Sequence, residues 1–385
     1  MHGAWERRAD LDWIRVAAFG VLILYHIGLF FGPLDWHVNS RHPVPWVGVA
    51  LVFSNPWRLT LLFLVSGAAL RFMSRRMTPG QLASSRSKRL LIPLAFGLLF
   101  LVPPQAYVED TMKAGLVQSY LEYWGRFFLI DRGLCLSGAC KPVPLNHLWF
   151  VLYIWAYALA MAALMALPVA WGRIGDRLRK MLVGGWVLVL PALYLVIVRV
   201  LLLPHFPITN QLPGDWYNHA SSFAAFALGF WMAGETAIWR TLDRLRWDAL
   251  GLAVSTSVGL AIEAAWQEIS PGPQSVGMMA VHAINQWCVI AAILGFAYRH
   301  LRQADGPVLA YLRQGIFPFY LVHQTIIVLA VYAIDRIALP TAEEAVVLIS
   351  VTAGGCLLVY ELVRRTGPFR GVFGLPALKP AVSPA

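Results

Sequence analysis

The stretch LDWIRVAAFGVLILYHIGLFF, residues 11–31, places one cation and one imidazole inside an apolar run long enough to cross a bilayer. Arg15 and His26 are eleven residues apart. At about 100° per residue, eleven steps return to nearly the same helix face and rise about 16 Å along the axis. Because lipid does not tolerate such a pair facing outward, this face is predicted to line a protein interior or a wet cavity.

The composition indicates a polytopic membrane protein. Hydrophobic residues make up 58% of the 385 residues, charged residues only 13%, and the mean hydropathy is +0.62. Soluble domains carry about 25% charged residues. The formal net charge is +11, but the basic residues cluster at the ends of apolar runs and not along one soluble face. We therefore attribute the charge to orientation in the membrane, and we predict no nucleic-acid partner.

Apolar windows of about 20 residues predict an all-α bundle of ten membrane-spanning helices. They are placed at residues 12–31, 52–73, 90–108, 146–167, 182–203, 219–238, 248–268, 276–298, 314–334 and 342–363. The second is interrupted by Asn55-Pro56. One alternate set of connecting segments holds 22 of the 31 Lys and Arg residues, which predicts that both termini are cytoplasmic.

A single transmembrane domain is expected over residues 1–366. Within it, 109–145 forms an outer-face loop or cap, and 367–385, which contains four prolines, is expected to be a disordered cytoplasmic tail. Cys135 and Cys140 fall in the cap, where an oxidising compartment would allow a disulfide. Whether these two thiols pair stays open.

Five segments, in order along the chain, carry a family resemblance. They are LDWIR with LYH (11–15 and 24–26), LFLVSGAAL (62–70), SKRLLIPL (87–94), HLWFVLY (147–153) and FYLVH (319–323). Together they resemble the membrane-bound acyltransferase family 3, whose members O-acylate cell-surface polysaccharides, and the compact chain is similar to its periplasmic-glucan succinyltransferase branch. The resemblance implies a bacterial inner-membrane enzyme that moves an acetyl or succinyl group from acyl-coenzyme A to a carbohydrate hydroxyl at the outer face.

Acyl transfer to a hydroxyl needs a group that takes up the hydroxyl proton, and His26 suits this role. It lies past the middle of the first span, towards the outer face, where an acceptor could arrive. The same imidazole could instead act as a nucleophile and carry the acyl group. The sequence leaves both mechanisms open.

A basic pocket for the phosphates of the donor is predicted from Arg15, Arg86 and Arg89. Arg86 and Arg89 are three residues apart, so they occupy neighbouring positions on one helix face. Asp12, three residues before Arg15, is predicted to pair with it and fix its rotamer. Membrane topology alone would also account for Arg86 and Arg89, and snorkelling to the interface would account for Arg15.

Five further residues are assigned with help from the resemblance. Ser66 is placed near the donor, although a Ser-Gly pair in a span more commonly serves close helix packing. His147, Trp149, Tyr320 and His323 are placed in contact with the acceptor. An interfacial anchoring role competes for His147, and a structural role competes for His323.

No tightly bound cofactor and no metal are predicted; the expected partners are membrane lipid, acyl-coenzyme A and a carbohydrate acceptor, and the oligomeric state is left open. The alternative function is a transporter or flippase that uses buried Arg and His side chains as a charge relay. It predicts paired broken helices in the two halves of the chain, and the sequence offers only Asn55-Pro56. A non-catalytic scaffold would leave the face shared by Arg15 and His26 without a purpose.

Overall fold

A computed structural model describes residues 8–128, 144–168, 171–269, 272–337 and 339–377, so Cys135 and Cys140 lie outside the described residues. Every regular element in these ranges is helical, which confirms the predicted all-α class. The α-helices are α1 (Ala9–Phe31), α2 (Pro45–Ser74), α3 (Pro79–Phe96), α4 (Val102–Ala114), α5 (Tyr120–Phe127), α6 (Trp149–Ala166), α7 (Trp171–Met181), α8 (Trp186–Leu202), α9 (Trp216–Met232), α10 (Thr236–Arg244), α11 (Arg246–Ile269), α12 (Val276–His300), α13 (Pro307–Ile334), α14 (Thr341–Arg365) and α15 (Phe369–Val372). A π-helical segment (Gly97–Leu101) joins α3 to α4, and a 3-10 turn (Asn146–Leu148) precedes α6.

Eight helices in the described part of the chain are long and apolar enough to cross a membrane, against the ten predicted. They are Ala9–Phe31, Pro45–Ser74, Pro79–Ala114, Asn146–Ala166, Arg246–Gln267, Val276–His300, Pro307–Ile334 and Thr341–Arg365. A ninth is reached only if α7 and α8 are counted as one broken span.

The two differences have local causes. The run predicted at 182–203 begins at a bend of 101° between α7 and α8, where Gly184 has a positive φ of 66° that favours glycine. The run predicted at 219–238 ends early, because α9 stops at Met232 and the chain turns before α10. At 17 residues each, α8 and α9 rise only about 26 Å, short of the hydrocarbon thickness of about 30 Å.

The predicted interruption at Asn55-Pro56 does not divide the second span. Helix α2 runs for 30 residues with Pro56 inside it. The described residues contain one sharply bent helix pair, α7 with α8, and no symmetry-related second pair. The feature that the transporter alternative predicts is therefore not found in the described residues.

The described residues divide into two compact units, which are the parts of the chain within Met1–Leu22, Trp46–Arg86 and Tyr153–Arg313, and those within Ile23–Pro45, Ser87–Leu152 and Gln314–Ala385. In the first unit, α12 packs on α8, α10 and α11. Helices α2 and α9 approach closely at two glycines. A Cβ on Gly67 would lie 1.8 Å from the Phe226 carbonyl oxygen, and one on Gly229 would lie 1.9 Å from that of Leu64. Only glycine permits this reciprocal contact.

In the second unit, the π-helical segment follows from the prolines at positions 103 and 104. These residues have no N–H, so the carbonyls of Leu99 and Phe100 lose their usual helical donors. The indole Nε1 of Trp124 on α5 donates to the Leu99 carbonyl at 2.7 Å and replaces one of them. The irregular turn thus fixes α5 against the junction of α3 and α4.

Part of the segment predicted to be a disordered tail has a defined structure. Helix α15 follows α14 closely, and the buried Arg370 side chain donates to the carbonyls of Pro376 (2.6 Å) and Arg364. Phe373 packs on Phe96, with ring centroids 5.2 Å apart. Proline content alone suggested disorder, whereas these contacts order the segment as far as residue 377. Residues 378–385 lie outside the described ranges.

Candidate active site

Two histidines from distant parts of the chain meet in the second unit. Nδ1 of His26, near the end of α1, lies 3.1 Å from Nε2 of His323 in the middle of α13. The two ring centroids are 5.0 Å apart. His323 is completely buried, whereas His26 is only partly buried. The pair therefore has one buried member and one that a substrate can reach.

Hydrogen bonding assigns the tautomers of this pair. Nδ1 of His323 lies 2.6 Å from the carbonyl oxygen of Tyr320, and because a carbonyl only accepts, this Nδ1 carries a hydrogen. In the neutral ring, Nε2 of His323 is then an acceptor and receives the Nδ1–H of His26. The lone pair of His26 consequently lies on Nε2. The buried imidazole of His323 thus orients His26. The aspartate of a Ser-His-Asp triad orients the catalytic histidine in the same way.

His147 and Tyr320 form a reciprocal contact beside this pair. Nε2 of His147 donates to the Leu321 carbonyl at 3.1 Å, and the Tyr320 hydroxyl donates to the His147 carbonyl. The His147 ring lies 5.1 Å from that of His323. Both side chains are almost fully buried, with exposed fractions of 5% for His147 and 1% for Tyr320. They lock the start of α6 to α13.

This burial bears on the predicted acceptor contacts. His147, Tyr320 and His323 are too deeply buried to contact a bulky sugar, so the structure brings them together as a support for His26. Nδ1 of His147 is buried and has no hydrogen-bond partner among the described residues. Trp149, the fourth predicted contact, is partly exposed on the first turn of α6.

A partly exposed indole next to His26 was missed by the sequence analysis. Trp36, in the connection after α1, has its ring centroid 6.2 Å from that of His26. The next residue, His37, bonds through Nδ1 to the carboxylate of Glu109 in the second half of α4. The signal available in the sequence was a Trp-His pair just beyond the first span, together with a carboxylate beyond the third.

Amide side chains link the segment between α1 and α2 to α13. Gln324 donates through Nε2 to Nε2 of His37 (2.9 Å) and to Oε1 of Gln105 (3.0 Å). Asn146 donates to the same Gln105 oxygen at 2.8 Å, and Gln105 donates to Thr325 at 2.8 Å. Buried networks of this kind hold side chains in one arrangement when their members are satisfied. Here the network holds the neighbours of His26 and His323.

The predicted donor residues lie on two helices. Arg15, on α1, and Arg86, on α3, are partly buried and belong to the first unit; Arg89 is exposed and belongs to the second. Nη1 of Arg86 lies 3.8 Å from the sulfur of Met73. Asp12, which was predicted to pair with Arg15, forms an ion pair with Arg313 at 3.5 Å.

Ser66 lies next to Gly67, on the turn of α2 that packs against α9. The close contact of Gly67 with the Phe226 carbonyl gives the Ser-Gly pair a packing role, which was the competing interpretation of this motif. No contact of Ser66 that would support donor binding is found, so its assignment stays a prediction.

The first unit also contains a cation that the sequence analysis passed over. Arg58 lies within the span formed by α2, has an exposed fraction of 3%, and donates to Oγ of Ser54 at 3.3 Å. An arginine inside an apolar span is a functional candidate by default, and this signal was present in the sequence. In the described part of the chain, no three His, Cys, Asp or Glu side chains are arranged to hold a metal ion.

Helices of membrane-spanning length and an oriented histidine pair define a multi-pass membrane protein with a site suited to proton transfer. The sequence profile of the acyltransferase 3 family, an acyltransferase domain, matches residues 8–361. The chain therefore belongs to this family.

Curated relatives match a shorter segment. Glucans biosynthesis protein C of Escherichia coli O6:K15:H31 (strain 536 / UPEC) is 28% identical over 149 residues, which is 39% of this chain and 36% of the relative. The protein of the same name from Escherichia coli strain SMS-3-5 / SECEC is 28% identical over the same shares, and that from strain O1:K1 / APEC is 27% identical. The matched segment thus spans about a third of the length of these relatives. No solved structure matches the chain.

Proposed function

We propose that the protein is a membrane O-acyltransferase that transfers an acetyl or succinyl group from acyl-coenzyme A to a hydroxyl of a cell-envelope carbohydrate. The observation that carries the proposal is the hydrogen bond from His26 to the buried His323, which assigns the lone pair of His26 to Nε2. Membership of the acyltransferase family supports group transfer. The name of the relatives, glucans biosynthesis protein C, supports a carbohydrate acceptor.

In the proposed reaction, Nε2 of His26 takes the proton of the acceptor hydroxyl while the hydroxyl oxygen attacks the thioester carbonyl carbon. The tetrahedral intermediate collapses, the C–S bond breaks, and the new ester forms. The leaving thiolate takes the proton from His26 and departs as free coenzyme A. His323 receives the Nδ1–H bond of His26 throughout, which stabilises the imidazolium that forms transiently.

The nucleophilic alternative uses the same nitrogen. Nε2 of His26 would attack the thioester, release the thiol, and hold the acyl group until the acceptor hydroxyl removes it. The two routes differ in one observable, because only the second gives an acylated enzyme when the acceptor is absent. Mass spectrometry of donor-treated protein distinguishes them.

The donor is assigned to the basic residues predicted from the sequence, Arg15, Arg86 and Arg89. Guanidinium groups bind phosphates in a bidentate manner, and coenzyme A carries three phosphates. With both termini on the cytoplasmic side of a bacterial inner membrane, these residues face the compartment that contains acyl-coenzyme A. His26 is then near the opposite face, where the acceptor arrives.

The test is acyl transfer by purified protein in nanodiscs, with acetyl- and succinyl-coenzyme A as donors and a crude periplasmic glycan fraction as acceptor. Release of free thiol reports turnover. We expect His26→Ala to lower kcat by about a thousandfold. His205→Ala is the matched control, because His205 is an exposed histidine in the connection after α8. Unchanged turnover in His26→Ala, or no turnover by monodisperse wild-type protein with either donor, would contradict the proposal.

A further inference from the structure

The connection between α1 and α2, residues 32–44, is held in a defined conformation by its own hydrogen bonds. Its backbone returns to α1 twice, from Ser40 N–H to the Phe30 carbonyl (2.8 Å) and from Val44 N–H to the Phe31 carbonyl (2.7 Å). Asn39 accepts from the Trp36 N–H at 3.2 Å. The Trp36 indole is therefore presented by an ordered segment, with little conformational entropy left to lose when a ligand binds.

The Trp36 ring lies near two histidine rings of the candidate site. Its ring centroid lies 6.2 Å from that of His26 and 5.3 Å from that of His37. The indole is partly exposed, whereas His147 and His323 behind His26 are buried. Trp36 is thus an aromatic surface next to the His26 ring that a large molecule can reach.

Glu109 adds a hydrogen-bond acceptor to this surface. One carboxylate oxygen binds His37, and the side chain is 35% exposed. An ionised carboxylate has about four acceptor positions, so it can accept further hydrogen bonds from hydroxyl groups. Because Gln324 holds the other nitrogen of His37, the pair is fixed in place.

The charges around Trp36 disfavour an anionic ligand. Lys113 contacts both Asp35 (2.6 Å) and Glu109 (3.9 Å), so one cation stands against two carboxylates. The Lys113 ammonium holds the pKa of Asp35 below its usual range, which keeps that carboxylate ionised at neutral pH. A phosphate or carboxylate would meet net negative charge here, whereas a neutral polyhydroxyl compound would not.

We propose that Trp36 and Glu109 form the subsite that binds the acceptor, and that the acceptor is a neutral pyranose. One face of the sugar ring packs on the indole, since the axial C–H groups of a pyranose form an apolar surface that suits an aromatic face. A hydroxyl of that ring donates to Glu109, and a second hydroxyl is brought to Nε2 of His26. The inference rests on the proposed function, and it replaces the buried His147, Tyr320 and His323 as the residues that contact the acceptor.

The experiment separates binding from turnover. Equilibrium binding of radiolabelled cellopentaose, a neutral oligosaccharide, is measured on nanodisc-embedded protein without donor. We expect Trp36→Ala to weaken this binding about tenfold and Glu109→Gln to weaken it severalfold. Trp36→Phe, which keeps an aromatic face, stays within about threefold of the wild type. Trp46→Ala is the matched control, because Trp46 is an exposed indole at the start of α2.

A second arm measures KM for cellopentaose and for the acyl donor. The subsite predicts that Trp36→Ala raises KM for the sugar and leaves KM for the donor unchanged, and that an oligogalacturonide of equal length binds more weakly than cellopentaose. Equal binding by wild type and Trp36→Ala, or preference for the acidic sugar, would overturn the subsite. Equal binding would instead make Trp36 an interfacial anchor. If cellopentaose binds through Trp36 but no donor turns over, the subsite stands and the proposed function fails.

Discussion

At the scale of single residues, the site depends on which nitrogen of His26 holds the lone pair. The sequence predicts that Arg15 and His26 share a face of one helix, and α1 is continuous across both positions. The partner of His26 could not be derived from spacing, because His323 lies 297 residues further along the chain. The family resemblance brought His323 into the site as an acceptor contact, and its complete burial is a property of the packed chain that spacing does not give.

Substitutions of His323 test its role as a positioning residue. His323→Gln retains an oxygen near the position of Nε2, which can accept from His26 Nδ1–H, whereas His323→Leu removes the acceptor. We expect His323→Leu to lower kcat about a hundredfold and His323→Gln to restore a large part of it. His323→Asn is the control for loss of the ring, because its amide oxygen does not reach His26. Equal rates for the Gln and Leu variants would show that His323 serves packing alone.

The cationic residues allow a test of the donor assignment against the topological explanation. Arg86 and its neighbour Lys88 both lie on α3, but Arg86 is partly buried and Lys88 is exposed. We expect Arg86→Gln to raise KM for the acyl donor about tenfold with kcat retained, since a charge-assisted phosphate contact is lost. Lys88→Gln leaves KM unchanged. Similar effects in both variants would attribute these charges to membrane orientation.

Two residues of the structure were not singled out from the sequence. Arg58 could have been found, because a cation inside an apolar span is itself a signal. For Trp36 the sequence offered only the Trp-His pair beyond the first span, because its distance from His26 depends on how residues 32–44 fold back onto α1.

At the scale of secondary-structure elements, hydropathy predicted where apolar helices lie better than where they begin and end. The end of α9 and the bend before α8 are set by turns that a window of about 20 residues averages out. The π-helical turn after α3 is predictable from the prolines at 103 and 104. The Trp124 indole that donates to the Leu99 carbonyl of this turn comes from a separate helix. The sequence therefore predicts irregular backbone where neighbouring residues cause it, and does not predict the contacts that distant helices supply.

The reciprocal glycine contact between α2 and α9 gives a prediction about stability. Gly67→Ala would place a methyl group in contact with the Phe226 backbone, which cannot yield as a side chain can. We expect a loss of about 3 kcal/mol of folding free energy and a lower thermal midpoint in detergent. Gly251→Ala is the control, because nothing lies within 4 Å of that position on α11. A midpoint for Gly67→Ala equal to that of the control would contradict the contact.

At the scale of the whole molecule, the charge distribution predicts orientation. The alternate connecting segments with 22 of the 31 basic residues are expected in the cytoplasm, together with both termini. A fluorescent protein fused to the C-terminus should be bright, and alkaline phosphatase fused there should be inactive. The same reporters inserted between α4 and α5 should give the opposite result. An active phosphatase at the C-terminus would invert the orientation and place the donor residues on the wrong side.

The complete burial of His323 has a consequence for energy coupling. Both of its ring nitrogens are engaged and its side chain does not meet solvent, so a proton received by His26 does not leave through His323. In the proposed reaction, that proton leaves a hydroxyl on one side of the bilayer and ends on a thiol released to the other. The inward proton is balanced by the acyl group that moves outward, so transfer of a neutral acetyl group carries no net charge across the bilayer, whereas transfer of a succinyl group moves one carboxylate charge outward. A membrane potential that is negative inside would then help to drive the outward transfer of succinyl, by about 2.3 kcal/mol per 100 mV, and would leave the transfer of acetyl unaffected.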